Sequence, residues 1–463
     1  MRFEYDNSKH NRRKFFGDLM SMSPIYTDRL LANKIFSSQI NEKKEPFNIK
    51  KNQILIGFNS TDFNENSAVL LNLKFKVKVG DEFEKRSRVI TIIGKKGSGK
   101  SMLKKVISEN IKYRMHMPFF FIDPYGEDVK MKEKYAEDKS LEYQEYIDEF
   151  LSKFGLERQN MNIIVISPKF LGELQNVDKY YSISYTEFRD MAKYDLDLAV
   201  TIMSELLGID NNDDNIELLM NVINNKTIET WKDMYNMLIR EKKNLKTKTH
   251  KIFGRVISRL RNQIITDDTS ITIDIKSLLM KYDAVVFRAR LRDSVDDSYT
   301  TKMYNAYVKM IISQIRIDIT RFINGDETAT IKCKEGVFIP IDEADSLAPA
   351  SGISSLRNTI VQLATKFRKS MISLILITQS VEKLDHTLMA QSDFILTAKL
   401  DDINRGIISE RNVSKEEIET KLTNLRSEQK TSIGTIVNEW AFIDDENNIT
   451  LFYPTIPLTN NKR

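Results

Sequence analysis

Residues 94–101 have the sequence Gly-Lys-Lys-Gly-Ser-Gly-Lys-Ser, which has the form G-x-x-x-x-G-K-S. Glycines let such a loop curl until several backbone N–H groups converge on one anion. The lysine, Lys100, would neutralise the β- and γ-phosphates of a nucleotide, and the hydroxyl of Ser101 would bind Mg²⁺. The predicted nucleotide-binding residues of this segment are Gly94, Lys95, Lys96, Gly97, Ser98, Gly99, Lys100, Ser101 and Met102.

Two adjacent carboxylates, Asp342 and Glu343, follow the apolar residues 336–341. Hydrolysis of ATP needs neutralisation of the phosphate charge and an oriented water molecule. Asp342 would hold Mg²⁺ beside Ser101, and Glu343 would polarise the attacking water. An acidic turn after a core strand is the alternative, and the phosphate loop upstream favours the catalytic interpretation.

Three polar residues next to apolar segments are further candidates for catalysis. Gln379 follows residues 373–378, and its amide could contact the γ-phosphate or the attacking water. Arg368 lies before the same segment, and Arg88 lies six residues before Gly94. Both arginines could stabilise transition-state charge, Arg368 as an internal sensor and Arg88 in trans. The alternative, judged by spacing alone, is that Arg88 and Arg368 are ordinary surface arginines and that the amide of Gln379 has no function.

A cluster of basic residues in the segment 240–261 could bind the phosphates of a nucleic acid. Its only acid is Glu241, and its only aromatic residue is Phe253, which favours backbone contacts over base stacking. A solvated helix face is the alternative. The predicted nucleic-acid contacts are Lys242, Lys243, Lys246, Lys248, Lys251, Arg255 and Arg259.

The elements that must position these residues are short apolar strands separated by helices. An apolar, β-branched strand (residues 89–93) leads into the phosphate loop, and a helical segment follows it. Similar apolar runs occur at 119–122, 161–166, 284–288, 336–341, 373–378 and 394–397. Continuous apolar strands of this kind are typical of a parallel sheet that is covered on both faces. The sequence therefore predicts an α/β fold with a mainly parallel sheet.

We divide the 463 residues into six segments. They are an N-terminal arm (1–50), a small β element (51–88), the first part of the ATPase core (89–169), a helical insertion (170–272), the second part of the core (273–430) and a C-terminal β tail (431–463).

The composition limits the class of protein. Cys333 is the only cysteine, so a disulfide framework and a cysteine-based metal site are excluded, and the four histidines lack ligand spacing. No apolar run approaches the ~20 residues that cross a bilayer, and no apolar signal segment opens the chain. We therefore expect an intracellular, cytoplasmic protein without direct membrane insertion. The net charge of +5 is too small to indicate a nucleic-acid partner.

Four motifs together resemble the HerA branch of the FtsK/HerA superfamily of P-loop translocases. They are residues 94–101, 123–127, 341–345 and 368–379. In that branch the second motif is typically Asp-Pro-His-Gly-Glu-Tyr, and the Walker B motif is Asp-Glu-Ala-His. Tyr125, Asp128 and Asp345 replace the His, Tyr and His here. The resemblance extends, with gaps, from about residue 54 to residue 458.

The resemblance implies a RecA-like (ASCE) core, ATP and Mg²⁺ as cofactors, and a homo-oligomeric ring, usually a hexamer, around double-stranded DNA. It implies nucleotide contacts from Asp123 and Glu127, a trans-acting arginine at Arg88 and an internal one at Arg368. The family's N-terminal β-barrel is reduced here to about residues 50–88. This reduction puts the docking of a barrel-bound partner nuclease or other effector in doubt.

The leading hypothesis is therefore an ATP-driven, ring-shaped DNA translocase or helicase. A motor for conjugation, packaging or secretion, which would handle protein or single strands, is the alternative within the superfamily. A nucleotide-gated assembly switch is a third possibility, and Glu343 argues against it, since a pure switch needs no carboxylate that activates water. Residues 342–345 also spell DEAD, but only about 118 residues follow them, too few for the second domain of a DEAD-box helicase.

Overall fold

The computed structural model describes residues 50–59, 68–79, 82–126, 161–207, 228–242, 254, 257–258, 273–289, 297–351, 354–400, 415–423, 425, 429–430 and 436–454. The predicted N-terminal arm lies almost entirely outside these ranges. The following strands and helices belong to the described residues.

The strands are β1 (Gln53–Asn59), β2 (Ala68–Asn72), β3 (Lys76–Val79), β4 (Glu82–Lys85), β5 (Val89–Ile93), β6 (Phe119–Asp123), β7 (Ile163–Pro168), β8 (Lys179–Tyr181), β9 (Ala284–Arg288), β10 (Val337–Ile341), β11 (Ile372–Thr378), β12 (Phe394–Thr397), β13 (Gln429–Lys430), β14 (Ile436–Val437), β15 (Trp440–Ile443) and β16 (Ile449–Pro454).

The α-helices are α1 (Lys100–Met115), α2 (Tyr185–Tyr194), α3 (Leu196–Leu207), α4 (Trp231–Lys242), α5 (Ile275–Lys281), α6 (Asp297–Ile323), α7 (Ala344–Leu347), α8 (Ser355–Ala364), α9 (His386–Gln391) and α10 (Lys415–Leu422). Two short 3₁₀ turns are formed by Lys169–Leu171 and Arg368–Ser370.

Within the described ranges, twelve strands form one sheet in the order β2-β1-β16-β15-β12-β5-β11-β10-β6-β9-β7-β8. The strands from β12 to β8 in this order are all parallel. Every residue of β5, β6, β9, β10, β11 and β12 is buried, because both faces of the sheet are covered. The predicted α/β fold with a mainly parallel sheet is confirmed.

The remaining strands of the sheet are antiparallel and continue it beyond β12. β15 pairs with β12, β16 with β15, β1 with β16, and β2 with β1. Strands β1 and β2 of the β element predicted at 51–88 thus lie beside the C-terminal strands in the same sheet. β3 and β4 form a separate antiparallel pair.

Part of the segment 170–272 joins the core. β8 extends the sheet next to β7, and Ser184 caps the start of α2 in a reciprocal capping box with Glu187. The indole N–H of Trp231, at the start of α4, donates to the carbonyl of Ile183 at 2.7 Å. The long helix α6 packs against α2, α3 and α8.

One glycine fixes the approach of the two central strands. Gly336, with φ of 90°, precedes β10, and a Cβ at this position would lie 1.8 Å from the carbonyl oxygen of Met371, just before β11. Only glycine lets the strands begin so close together. Because the two strands are parallel and in register from Val337 and Ile372, their carboxyl ends also lie together.

Among the helices that the structure describes, none has both the length and the apolar character needed to cross a membrane.

Candidate active site

The predicted phosphate loop connects the buried strand β5 to α1. Gly97 and Gly99 have φ of 87° and 95°, a backbone conformation that favours glycine. Gly99 is the N-cap of α1, and the helix begins at Lys100. The unpaired N–H groups of its first turn are therefore available to an anion. Lys95, Lys96, Gly97 and Ser101 are exposed, whereas Ser98 is buried and Gly99, Lys100 and Met102 are half-buried.

Two distant segments hold this loop in place. The N–H of Gly94 donates to the carbonyl of Thr378 at the end of β11, at 3.2 Å. The side-chain amide of Asn438 donates to the carbonyl of Ser98 at 2.7 Å. Gly94 itself packs closely, since a Cβ there would lie 2.4 Å from the hydroxyl of Ser98. The loop is thus anchored to the core and to the C-terminal tail, and no local sequence signal pointed to Asn438.

The ammonium group of Lys100 lies against the loop, where it donates to the carbonyls of Gly94 and of Lys95, the latter at 3.0 Å. Burial lowers the pKa of Lys100, while the carboxylates of Asp342, Asp345 and Glu343 act to raise it. Lys100 therefore interacts electrostatically with the predicted Walker B carboxylates, and its contact with nucleotide phosphates stays a prediction.

Asp342 follows β10 and has hydrogen bonds on both carboxylate oxygens. Oδ1 accepts from the N–H of Glu343 at 3.0 Å, and Oδ2 accepts from the ammonium of Lys104 at 2.8 Å. Burial acts to raise the pKa of Asp342, but Lys104, the N–H of Glu343 and Lys100 together outweigh burial, so that the pKa lies below its ordinary value. Sequence reasoning missed Lys104, whose only signal was a lysine on the P-loop helix.

Glu343 adopts a left-handed backbone conformation, with φ of 46° and ψ of 52°, directly before α7. Such a conformation costs a non-glycine residue free energy and is found often at functional sites. Its Oε1 accepts a hydrogen bond from the side-chain amide of Gln379 at 3.3 Å. Glu343 is half-buried and Gln379 is exposed. The structure therefore brings together two predicted catalytic residues from adjacent strands, in contact with solvent.

The residues present fit a nucleoside triphosphate with Mg²⁺. The loop offers backbone N–H groups and Lys100 to the phosphates, and both Ser101 and Asp342 carry the hard oxygen donors that Mg²⁺ prefers. One hydroxyl and one carboxylate would be the protein's share of such a site, and phosphate oxygens and water would supply the other ligands.

Asp123 lies at the same edge of the sheet, at the end of β6. It is fully buried, and its Oδ1 accepts from the N–H of Gly126 at 2.7 Å, which closes the turn after the strand. Glu127, the other nucleotide contact predicted for this motif, lies outside the described residues. A contact between Asp123 and nucleotide remains a prediction.

Arg88 and Arg368 lie at the opposite edge of the sheet, before β5 and β11. Both guanidinium groups bind Asp393, at 3.0 Å and 2.9 Å. Arg368 also donates to the carbonyls of Ala364 and Gln391, and Arg88 to the carbonyl of Lys74.

This position separates Arg368 from the phosphate loop of its own chain by the length of β11, roughly 20 Å. The hydrogen bonds of Arg368 hold it at this edge, and its predicted role as an internal sensor stays a prediction. A role for Arg88 or Arg368 towards another subunit stays a prediction. Such a role would require the guanidinium of Arg88 or Arg368 to leave Asp393. Sequence reasoning did not identify Asp393.

Most of the predicted nucleic-acid segment lies outside the described residues. Lys242 ends α4, and nothing is described of its side chain; Lys243, Lys246, Lys248, Lys251, Arg255 and Arg259 lie outside the described residues.

No family model matches the chain, and no curated protein matches it in sequence. Several solved structures are similar to it, including the following three. VirB4 of Thermoanaerobacter pseudethanolicus has 15% identity and a TM-score of 0.50, over 89% of this chain and 98% of that one. Plasmid coupling protein TrwB, in complex with ADP and Mg²⁺, has 13% identity and a TM-score of 0.47, over 91% and 97%.

The genome packaging NTPase B204 from Sulfolobus turreted icosahedral virus 2, in complex with ATP-γS, has 11% identity and a TM-score of 0.33, over 80% and 98%. Of these three, VirB4 has the highest TM-score, and that likeness shows a shared fold. Together with the sheet order, it confirms the predicted α/β, RecA-like class.

Proposed function

We propose that this chain is an ATPase of the FtsK/HerA superfamily that uses ATP hydrolysis to move DNA. One observation carries the proposal: Lys100, Ser101, Asp342, Glu343 and Gln379 all follow parallel strands of one sheet and meet at its carboxyl edge. Ligands of open α/β sheets bind at this edge. The set contains both a phosphate-binding and a water-activating part.

Binding of ATP would use the backbone N–H groups of the loop and the first turn of α1. The ammonium of Lys100 would exchange the carbonyls of Gly94 and Lys95 for the β- and γ-phosphates, which as anions are the stronger acceptors. Ser101 and Asp342 would hold Mg²⁺, which neutralises charge on the phosphate oxygens when bound.

Hydrolysis would depend on Glu343. Its carboxylate would accept a hydrogen bond from the water that attacks the γ-phosphorus, so that ADP and phosphate leave. The amide of Gln379, which already donates to Glu343 Oε1, would fix the orientation of that carboxylate. A protein that only changes conformation when it binds nucleotide does not need this pair of residues. The presence of the pair therefore favours a motor.

The ring, the hexamer and the preference for double-stranded DNA come from the sequence resemblance. Contact with nucleic acid is also proposed from the basic residues 242–259. Arg88 and Arg368 stand at the edge of the sheet that is remote from their own loop, so an arginine contribution to catalysis would have to serve another subunit. A helicase activity and a partner nuclease or other effector belong to the same proposal.

The proposal is tested by ATP hydrolysis of the purified protein with no DNA, with single-stranded DNA and with duplex DNA. Duplex should stimulate hydrolysis, and both Lys100→Ala and Glu343→Gln should lower the rate by on the order of 100-fold or more. Glu343→Gln should keep nucleotide binding, whereas Lys100→Ala should weaken it. Glu327→Gln, at an exposed position outside the site, is the matched control and should hydrolyse ATP normally.

Hydrolysis that no DNA changes would favour a motor that handles protein, and binding without hydrolysis would favour a switch. Light scattering with ATP tests the ring separately, and monomers alone at micromolar concentration would contradict it. Neutral replacement of Lys246, Lys248 and Lys251 should reduce duplex stimulation and its dependence on salt. Unchanged stimulation in that variant would remove this segment from the DNA path.

A further inference from the structure

Lys104 has an unusual position for a charged residue. It lies one turn after Lys100 on α1, and its side chain is only 1% exposed. Its ammonium group lies 2.8 Å from Oδ2 of Asp342 and 5.9 Å from the centre of the Phe121 ring. A buried ammonium is costly unless a partner compensates it, so the position of Lys104 is tied to that carboxylate.

The next residue provides a natural contrast. Lys105 is also buried, but it pairs with Glu109, four residues along the same helix, at 3.7 Å. Both lysines therefore lie on the buried side of α1, each with a carboxylate. The partner of Lys105 is a structural residue of the helix, whereas the partner of Lys104 is the carboxylate that would hold Mg²⁺.

The ammonium of Lys104 changes what Asp342 can do. One carboxylate oxygen accepts from Lys104 and the other accepts from the N–H of Glu343. Without nucleotide, a divalent cation near Asp342 would meet a carboxylate whose charge Lys104 already balances. The ammonium of Lys104 would also repel the cation. The triphosphate of a bound nucleotide brings several negative charges and reverses this balance.

We propose that Lys104 is a positioning residue that acts as the counter-ion of Asp342 and makes divalent-cation binding depend on the nucleotide. The carboxylate then stays ordered before nucleotide arrives, does not take up free Mg²⁺, and receives the cation together with the phosphates. This inference rests on the proposed nucleotide site and adds a control on how the site is loaded.

The inference is tested by measuring the Mn²⁺ affinity of the full chain without nucleotide. Mn²⁺ is a paramagnetic probe for Mg²⁺, so electron paramagnetic resonance reports its binding. The wild type should bind Mn²⁺ weakly. Lys104→Gln, which keeps a hydrogen-bond donor but removes the charge, should bind Mn²⁺ about tenfold more tightly. Lys104→Arg, which keeps the charge, should restore weak binding. Lys105→Gln is the matched control and should leave Mn²⁺ affinity at the wild-type value.

A purely structural role for Lys104 would lower the melting temperature of Lys104→Gln without tightening Mn²⁺ binding, and that result would overturn the inference. Should Lys104→Gln fail to fold, Lys104→Met in the presence of millimolar Mg²⁺ provides the second test, since Mg²⁺ should raise its melting temperature and leave that of the wild type unchanged. No rise in that variant would also overturn the inference.

A fluorescent ADP analogue, titrated with and without Mg²⁺, separates this result from the proposed function. If the wild type binds no nucleotide, the proposed function fails. If it binds nucleotide and Lys104→Gln leaves Mn²⁺ affinity unchanged, only the inference about Lys104 fails.

Discussion

The two edges of the parallel sheet both carry charged side chains next to strand ends, yet they differ in how those side chains are satisfied. At the amino edge, Asp393 accepts from Arg88, from Arg368 and from the N–H of Val89, and its side chain is only 8% exposed. At the carboxyl edge, Glu343 is half-buried, and Gln379 is exposed. The first arrangement is closed, and the second keeps polar groups open to solvent.

The difference separates a structural network from a site. A buried network with all its partners present holds elements together, here β5, β11 and β12, because losing one partner leaves an uncompensated charge. An open cluster can exchange solvent for a ligand. The left-handed backbone at Glu343 belongs to the open edge, where strain accompanies function more often than at a closed one.

Removal of Asp393 should have the largest effect on the molecule. In Asp393→Ala two buried guanidinium groups lose their carboxylate, so the free energy of unfolding should fall by about 3–5 kcal/mol. Urea denaturation measures this change. Asp190→Ala is the control, because Asp190 forms an exposed pair with Lys193, and its loss should cost less than about 1 kcal/mol.

Equal stabilities for the two variants would show that the amino-edge network does not hold these strands together. A stable Asp393→Ala protein with faster ATP hydrolysis would indicate that Asp393 keeps the two arginines from a catalytic role.

Removal of Gln379 should affect catalysis and spare stability. Gln379 is exposed, so Gln379→Ala should unfold as the wild type does. The loss of its hydrogen bond to Glu343 should lower the rate of ATP hydrolysis by on the order of 100-fold while nucleotide affinity stays constant. Steady-state kinetics and a binding titration measure the two quantities. A large loss of stability instead would place Gln379 with the structural residues.

Removal of Asn438 should have the smallest effect and should appear in binding. Asn438→Ala leaves the carbonyl of Ser98 without its 2.7 Å donor, which is worth about 1 kcal/mol, so nucleotide affinity should fall about fivefold. Asn448→Ala, in the exposed turn of the same tail, is the control and should bind nucleotide normally. Wild-type affinity in Asn438→Ala would show that the tail does not support the loop.

Much of the fold could be predicted because the strands of the core are continuous apolar runs. The apolar runs at 284–288 and 394–397 were predicted as strands and form β9 and β12. β8 was not predicted, because it has only three residues, of which one is exposed, one half-buried and one buried. So short a segment shows no clear hydrophobic period. That the first and last β segments share one sheet could not be predicted, since strand pairing between distant segments is set by tertiary packing.

The sequence by itself determined the phosphate loop and the paired carboxylates, because each is a contiguous motif whose chemistry lies in neighbouring residues. Only the tertiary structure decided which polar residues stay open and which are closed. Lys104 reaches Asp342 across 238 residues, Arg88 reaches Asp393 across 305, and Asn438 reaches Ser98 across 340. Contacts at such separations depend on how strands and helices pack in three dimensions, and no local pattern of residues encodes them.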